Sequence, residues 1–173
     1  MTIQVLLLAL FAANLALIWL AQFQDKFKWY RFLGAFILVV LPLASVFFQQ
    51  PVFELDYFWW RIAGVIAIIL GLGLIVWAKL TVASLPAEIG QQPKKLRTEG
   101  PYAFVRHPIY LGLIFVFVGW WWAAAAVYSF YFGMVILAMI WIEAYLEEKL
   151  LLEKIFGAEF IDYRRRTGMF WIK

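Results

Sequence analysis

The sequence predicts an all-α membrane protein of about five transmembrane helices, and three observations carry that prediction. Of its 173 residues, 66% are apolar and the mean hydropathy is +0.85, whereas a soluble domain is about half apolar. The apolar residues are gathered into runs near the roughly 20 residues that cross a bilayer. Lys and Arg are concentrated in alternate connections between those runs, as the positive-inside rule expects of a multi-pass chain.

The runs can be taken in order. Residues 3–22, IQVLLLALFAANLALIWLAQ, make the first span. The N-terminus lacks a charged n-region and a clear cleavage site, so this run reads as a retained helix and not a signal peptide. Residues 31–49 make the second span, with Pro42 as an expected kink. Residues 58–80 make the third. A polar stretch, 81–107, follows with Pro86, Gly90, Pro93, Gly100 and Pro101, and is too interrupted to span. Residues 108–142 are apolar for 35 residues, which suits two helices joined by a tight turn near WWWAAAA. From Glu143 the tail is charged and helical in pattern, with Gly157 as its expected stop. The expected organisation is one integral membrane domain over 1–173, comprising three spans (1–80), a loop (81–107), a helical hairpin (108–142) and a C-terminal helix and tail (143–173).

Charge placement sets an expected orientation. Lys26, Lys28 and Arg31 lie between the first two spans, Lys79, Lys94, Lys95, Arg97 and Arg106 follow the third, and Lys149, Lys154, Arg164, Arg165, Arg166 and Lys173 lie in the tail. Glu54 and Asp56 occupy the opposite side, where Arg61 is the one exception. This puts the N-terminus outside, with the loop and tail sharing the cytoplasmic face of what reads as a bacterial inner-membrane protein. The net charge of +4 is then an attribute of cytoplasmic loops and anionic headgroups, not of nucleic-acid binding. Trp29, Tyr30, Tyr57, Trp59, Trp60, Trp120, Trp121, Trp122, Tyr128 and Trp171 fall near the expected interfaces and read as an aromatic belt.

Several chemistries are excluded. With no cysteine and one histidine there is no thiol catalysis, no disulfide and no ordinary transition-metal ligand set. GLGLIV at 71–76 begins like a dinucleotide fingerprint but has Val76 where the third glycine belongs, and Gly71 and Gly73 are better suited to close helix packing. No Walker A loop and no Gly-x-Ser-x-Gly elbow are present.

Two stretches remain that could carry chemistry. The first is GPYAFVRHPIYLG, 100–112. Pro108 suits the first position of a helix and keeps His107 just outside it. The helix start and the Arg106 fork then make an anion site at the membrane surface. Tyr110 can donate a hydrogen bond, and Gly112 admits close approach of a ligand or backbone. Interfacial snorkelling of Arg106 and His107 is the plain alternative. The second stretch is EAYLEEKLLLEKIFG, 143–157, where Glu143 and Glu147 share a helical face and Glu148 is turned by one position. Glu147 and Glu148 are expected to form a site with the basic loop, while Glu153 and Lys154 read as solvated.

Together TEGPYAFVRHPIYLG and EEKLLLEKIFGAEFIDYRRR resemble the C-terminal signature of the isoprenylcysteine carboxyl methyltransferase family, over about residues 96–166. That family has Gly-Pro-Tyr-x-x-x-Arg-His-Pro-x-Tyr-x-Gly, then an apolar hairpin, a Glu-Glu pair, Phe-Gly-x-x-Tyr-x-x-Tyr and a basic stretch. Two departures lie outside the cofactor motif: Phe160 stands where the first of those tyrosines is usual, and Thr167-Gly168 where the eukaryotic pattern has Val-Pro. The resemblance implies an integral membrane methyltransferase using S-adenosyl-L-methionine without a Rossmann domain. Carried over by position, Leu96, Tyr102, His107, Tyr110, Gly112, Glu147 and Glu148 would bind the cofactor, with Arg106 and Arg166 nearer the acceptor. The implied acceptor is a lipophilic or small carboxylate, amine or thiol at the membrane–cytosol interface. Sterol reductases, which have a similar C-terminal half and a nicotinamide cofactor, usually carry more spans; they and a non-catalytic membrane subunit are the alternatives.

Overall fold

The structure is a computed structural model that describes residues 2–23, 28–54, 58–83 and 95–173. Expectations for Lys26, Asp56, Tyr57, Pro86, Gly90, Pro93 and Lys94 fall outside these residues. The described chain is helical: α1 (Thr2–Phe23), α2 (Lys28–Ala44), α3 (Phe58–Ala83), α4 (Pro108–Ala124), α5 (Val127–Glu147), α6 (Glu153–Phe156) and α7 (Ala158–Arg166). The only strand-like pairings among the described residues are two isolated bridges. Three helical segments, Ile3–Ala21, Phe58–Val82 and Val127–Phe156, are long and apolar enough to cross a membrane, and Leu33–Phe47 and Pro108–Ala124 are shorter apolar helices. The protein is therefore an all-α membrane protein with its five apolar helices in the expected order. The turn in the 108–142 run falls at Ala125, which takes a positive φ of 52°. The tail does not start a separate helix at Glu143: α5 runs on to Glu147, a π-helical turn covers Glu148–Leu152, and the helix ends at Gly157, with φ 52°.

The chain divides into two compact units, Met1–Ile68 with Phe117–Ile136, and Ile69–Val116 with Leu137–Lys173. In the first unit polar side chains join helices whose surfaces are otherwise apolar. The last carbonyls of a helix have no partner within it, and Pro42 lies in the last turn of α2. The Pro42 carbonyl accepts from Trp121 Nε1 (3.2 Å) and Ser45 Oγ (2.7 Å), and the Leu43 carbonyl accepts from Trp120 Nε1 (2.9 Å). Trp121 is 3% exposed. It and Trp120 thus depart from the expected aromatic belt, because the end of α2 offers their indoles better partners than headgroups do. Trp122 stacks on Trp60 at 3.6 Å. Trp59 and Trp171 remain exposed, as a belt requires. Asn14 Nδ2 donates to the Gly34 carbonyl (2.8 Å) and Asn14 Oδ1 accepts from Tyr30 (2.7 Å), tying α1 to α2.

In the second unit α3 packs on α4 through glycine. A Cβ on Gly71 would lie 2.5 Å from the Gly112 carbonyl oxygen, and one on Gly112 would lie 2.6 Å from Ile75 Cγ1. Small residues let apolar helices approach closely where no hydrophobic force drives them together. Gly73, by contrast, has nothing within 4 Å of its would-be Cβ, so only one of the pair in GLGLIV is needed for packing. Gly71→Ala should therefore cost about 1–3 kcal/mol through overpacking. Gly73→Ala should be neutral or gain up to about 1 kcal/mol from helix propensity. Thermal melts of the two variants in one detergent check the contrast.

Candidate functional site

The site is built in the second unit, around the start of α4. Pro108 is the first helical residue and His107 lies just outside, its carbonyl accepting from Leu111 N–H at 2.9 Å. Proline needs no partner for the N–H it lacks. The backbone of 105–107 is held by the C-terminal strap beyond α7. Val105 and Gly168 form a parallel bridge, Arg106 N–H donates to the Gly168 carbonyl (2.9 Å), and His107 N–H to that of Met169 (3.3 Å). Neighbouring backbone turns on Gly100, which has a φ of +59° and where an added Cβ would lie 2.7 Å from Thr81 Oγ1.

Behind this backbone lies a buried ion cluster. Arg106 grips Glu148 with both edges of its fork, Nε to Oε1 at 2.7 Å and Nη2 to Oε2 at 3.0 Å. Arg106 Nη1 donates to the Thr167 carbonyl and, at 3.3 Å, to that of Arg164. His107 Nε2 is 2.9 Å from Glu148 Oε1. A carboxylate there accepts, so the Nε2 proton points at Glu148 and Nδ1 is left facing Glu147 Oε2 at 4.0 Å. The Arg106 and Glu148 side chains are 7% and 3% exposed. Burial at that level costs several kcal/mol per ion unless each charge is paired and its remaining hydrogen-bonding capacity is met. Here it is met by the second edge of the fork, the histidine and two carbonyls.

In front of the cluster is an open cavity of about 320 Å³, at the lower end of small-molecule sites. Its polar wall includes Arg97, Tyr102, His107, Tyr110 and Glu147, and its apolar floor includes Leu96, Phe160 and Tyr163. Leu96, Phe160 and Tyr163 form a buried cluster on which Leu152 and Phe156 pack. The His107 and Tyr110 rings stack at 5.5 Å. Arg97 Nη1 is buried and makes no hydrogen bond among the described residues, which is costly for a donor on a cation. Opposite in charge, Glu147 presents a one-third exposed side chain to the same space. Burial pushes the Tyr163 phenol well above its ordinary range, helped by Tyr102 and Glu148 against the opposing Arg106. Burial also raises Tyr102, with Glu147 adding to the effect and Arg97 opposing it. Tyr163 is accordingly a fixed donor, to the Tyr102 carbonyl at 2.6 Å.

The structure thus brings Leu96, Tyr102, Arg106, His107, Tyr110 and Glu147 to one cavity, with Glu148 directly behind it. Three of the residues expected here are used otherwise. Glu148 faces the ion cluster and not the cavity, because a helical step of about 100° already separates it from Glu147. Gly112 is engaged by Gly71 and Ile75 in helix packing. Arg166 is exposed on α7, with Nε 3.4 Å from the Asp162 carbonyl. Arg106 lines the cavity, but its donors are spent inside the protein, so the cations available to an anion are Arg97 and the exposed Lys95, itself 3.6 Å from Glu99. Sequence reasoning had placed Arg97 only in a basic loop, and had not singled out Phe160 or Tyr163 as cavity walls. For Tyr163 the signal was present, as the second tyrosine of the Phe-Gly-x-x-Tyr-x-x-Tyr element.

The family model for phospholipid methyltransferases matches residues 59–159, which include both the Arg-His-Pro segment and the Glu-Glu pair. The chain belongs to this family of isoprenylcysteine carboxyl methyltransferase-like membrane proteins. Methanethiol S-methyltransferase 1 of Bradyrhizobium diazoefficiens is 38% identical over 79 residues, covering 44% of this chain and 26% of that protein. The chain thus spans about a quarter of the length of the curated relative it matches. No solved structure matches it.

Tyr163→Phe should cost about 1 kcal/mol by removing the bond to the Tyr102 carbonyl. It should also flatten the alkaline limb of the stability curve. A phenol whose folded pKa is raised contributes stability that is whole below the ordinary value near 10. That contribution is lost as pH climbs towards the folded value. Melting temperatures of wild type and variant across the alkaline range measure both effects.

Proposed function

We propose that the protein is an S-adenosyl-L-methionine-dependent methyltransferase acting on a small or lipophilic acceptor at the membrane surface. The observation that carries this reading is the pairing, in one cavity, of a buried unpartnered Arg97 nitrogen with the Glu147 carboxylate. S-adenosyl-L-methionine has the complementary set, a carboxylate and an ammonium on one carbon, with a ribose and an adenine beyond. Arg97 suits the carboxylate, Glu147 the ammonium or the ribose hydroxyls, and the Leu96, Phe160 and Tyr163 floor an aromatic base. When bound, this group supplies an electrophilic methyl on a sulfonium, and the transfer needs no metal. The protein's part is therefore alignment and exclusion of water. His107 and Tyr110, fixed by stacking and by Glu148, form the wall that holds the donor's orientation. Lys and Arg placement supports a cytoplasmic position for this cavity, with apolar helices offering a lipophilic acceptor a route from the bilayer.

Of the carboxylate, amine and thiol acceptors, a thiol is favoured by the relative named for methyl transfer to methanethiol. A nicotinamide-dependent reductase is the competing reading, and a fold that has lost its activity is another. Purified protein should bind S-adenosylhomocysteine and not NADPH in calorimetric titrations. Arg97→Ala should weaken that binding roughly tenfold to a hundredfold, as expected for a lost hydrogen bond to a charged group. Methyl-labelled S-adenosyl-L-methionine, incubated with the protein and either short-chain thiols or membrane extract, should label the thiol. Binding of NADPH alone would overturn the assignment.

A further inference from the structure

A second cavity, of about 360 Å³, lies on the other side of Arg106 from the first. Its charged wall residues are Arg106, Arg164, Arg165 and Lys173, and no carboxylate is among its lining residues. Arg106 and Arg164 are neutralised from behind, by Glu148 and Glu153. Arg165 is not: among the described residues its one ion pair is a 3.7 Å contact with Asp162, both side chains being largely exposed. Lys173 Nζ reaches only a backbone carbonyl, that of Arg164 at 3.1 Å. Two cations therefore converge on a hollow with little acidic compensation, and such a hollow favours an anion and repels an ammonium.

Trp171 is shared between this cavity and an adjoining cleft of about 290 Å³. The cleft is apolar throughout, with Leu74, Trp77, Phe104, Leu111, Phe170 and Ile172 among its walls. Trp77, Phe104, Trp171 and Ile172 are 47–74% exposed. An exposed apolar cleft of this kind marks a site for an apolar partner, ligand or lipid. The basic hollow and the apolar cleft meet at one tryptophan, a residue suited to the boundary between headgroup and acyl chain. That is the charge and polarity pattern of a single amphiphile.

We propose that the C-terminal strap holds one anionic glycerophospholipid. Its phosphate lies against Arg165 and Lys173, and an acyl chain lies along the cleft past Trp171. The planar guanidinium supplies a fork for phosphate oxygens and the ammonium a point charge beside it. The lipid would thereby brace the strap whose carbonyls hold Arg106 and the backbone of His107. This site is separate from the methyl-donor cavity and does not depend on the function proposed for it.

The test is native mass spectrometry and melting of purified full-length protein, titrated with phosphatidylglycerol or phosphatidylcholine of matched chains. Phosphatidylglycerol should remain bound and raise the melting temperature, with an apparent affinity on the order of tenfold above phosphatidylcholine. The double variant Arg165→Gln/Lys173→Gln should lose that preference while keeping its unliganded melting temperature. Trp171→Ala should weaken the two-chain lipid but not water-soluble glycerophosphate. Equal binding of the two lipids would overturn the proposal, as would an undiminished preference in the double variant. Glycerophosphate binding as tight as the lipid would assign the hollow to a free phosphate and overturn the lipid claim.

Discussion

The second unit depends on one buried carboxylate. Glu148 is 2% exposed and receives three charged or polar donors, two from Arg106 and one from His107. Through it the end of α5 is fixed to the start of α4, and through Arg106 to carbonyls in the last turn of α7 and just beyond it. These segments are far apart in sequence, so the cluster closes long loops and holds their geometry at the cost of desolvating two ions. Removing one partner of such a pair costs roughly 3–5 kcal/mol, because the other is left buried and uncompensated. The single histidine of the chain is therefore a strut, with one ring nitrogen committed to Glu148 and the other facing the cavity.

A division of labour between adjacent glutamates follows. Glu147 has ordinary helical φ and ψ of −57° and −45°, so Glu148 points a little over a quarter-turn away from it. Glu148 is thereby buried in the protein and Glu147 is left on the cavity wall. Single π turns are rare and recur at functional sites. One such turn begins at this pair, over Glu148–Leu152, where neighbouring residues supply a buried anion and a cavity-facing one.

Much of this architecture was legible in the sequence, because its determinants are local. Apolar runs of bilayer length gave the helices, Pro108 marked the start of α4 with His107 just outside it, and Gly157 marked the end of the tail's first helix. The association of the Arg-His-Pro segment with the Glu-Glu pair was also legible, through a recurring motif. What escaped depends on tertiary partners. Nothing local says that Arg106 is saturated by Glu148 and the carbonyls of Arg164 and Thr167, or that Arg97 keeps an unused donor. Gly112 is conformationally permissive in any sequence reading, and only the facing Gly71 shows that helix packing uses it. Trp121 reads as interfacial until the end of α2 provides a buried acceptor for its indole.

The central claim is that Glu148 holds the site together while Glu147 serves what binds there. The direct measurement is paired, with the melting temperature and S-adenosylhomocysteine affinity of Glu147→Gln and Glu148→Gln. The account predicts that Glu147→Gln melts like wild type but binds at least about tenfold more weakly. Glu148→Gln should melt markedly lower, with any loss of affinity accompanying the loss of structure. A Glu148→Gln protein of wild-type stability, or a Glu147→Gln protein of wild-type affinity, would contradict it.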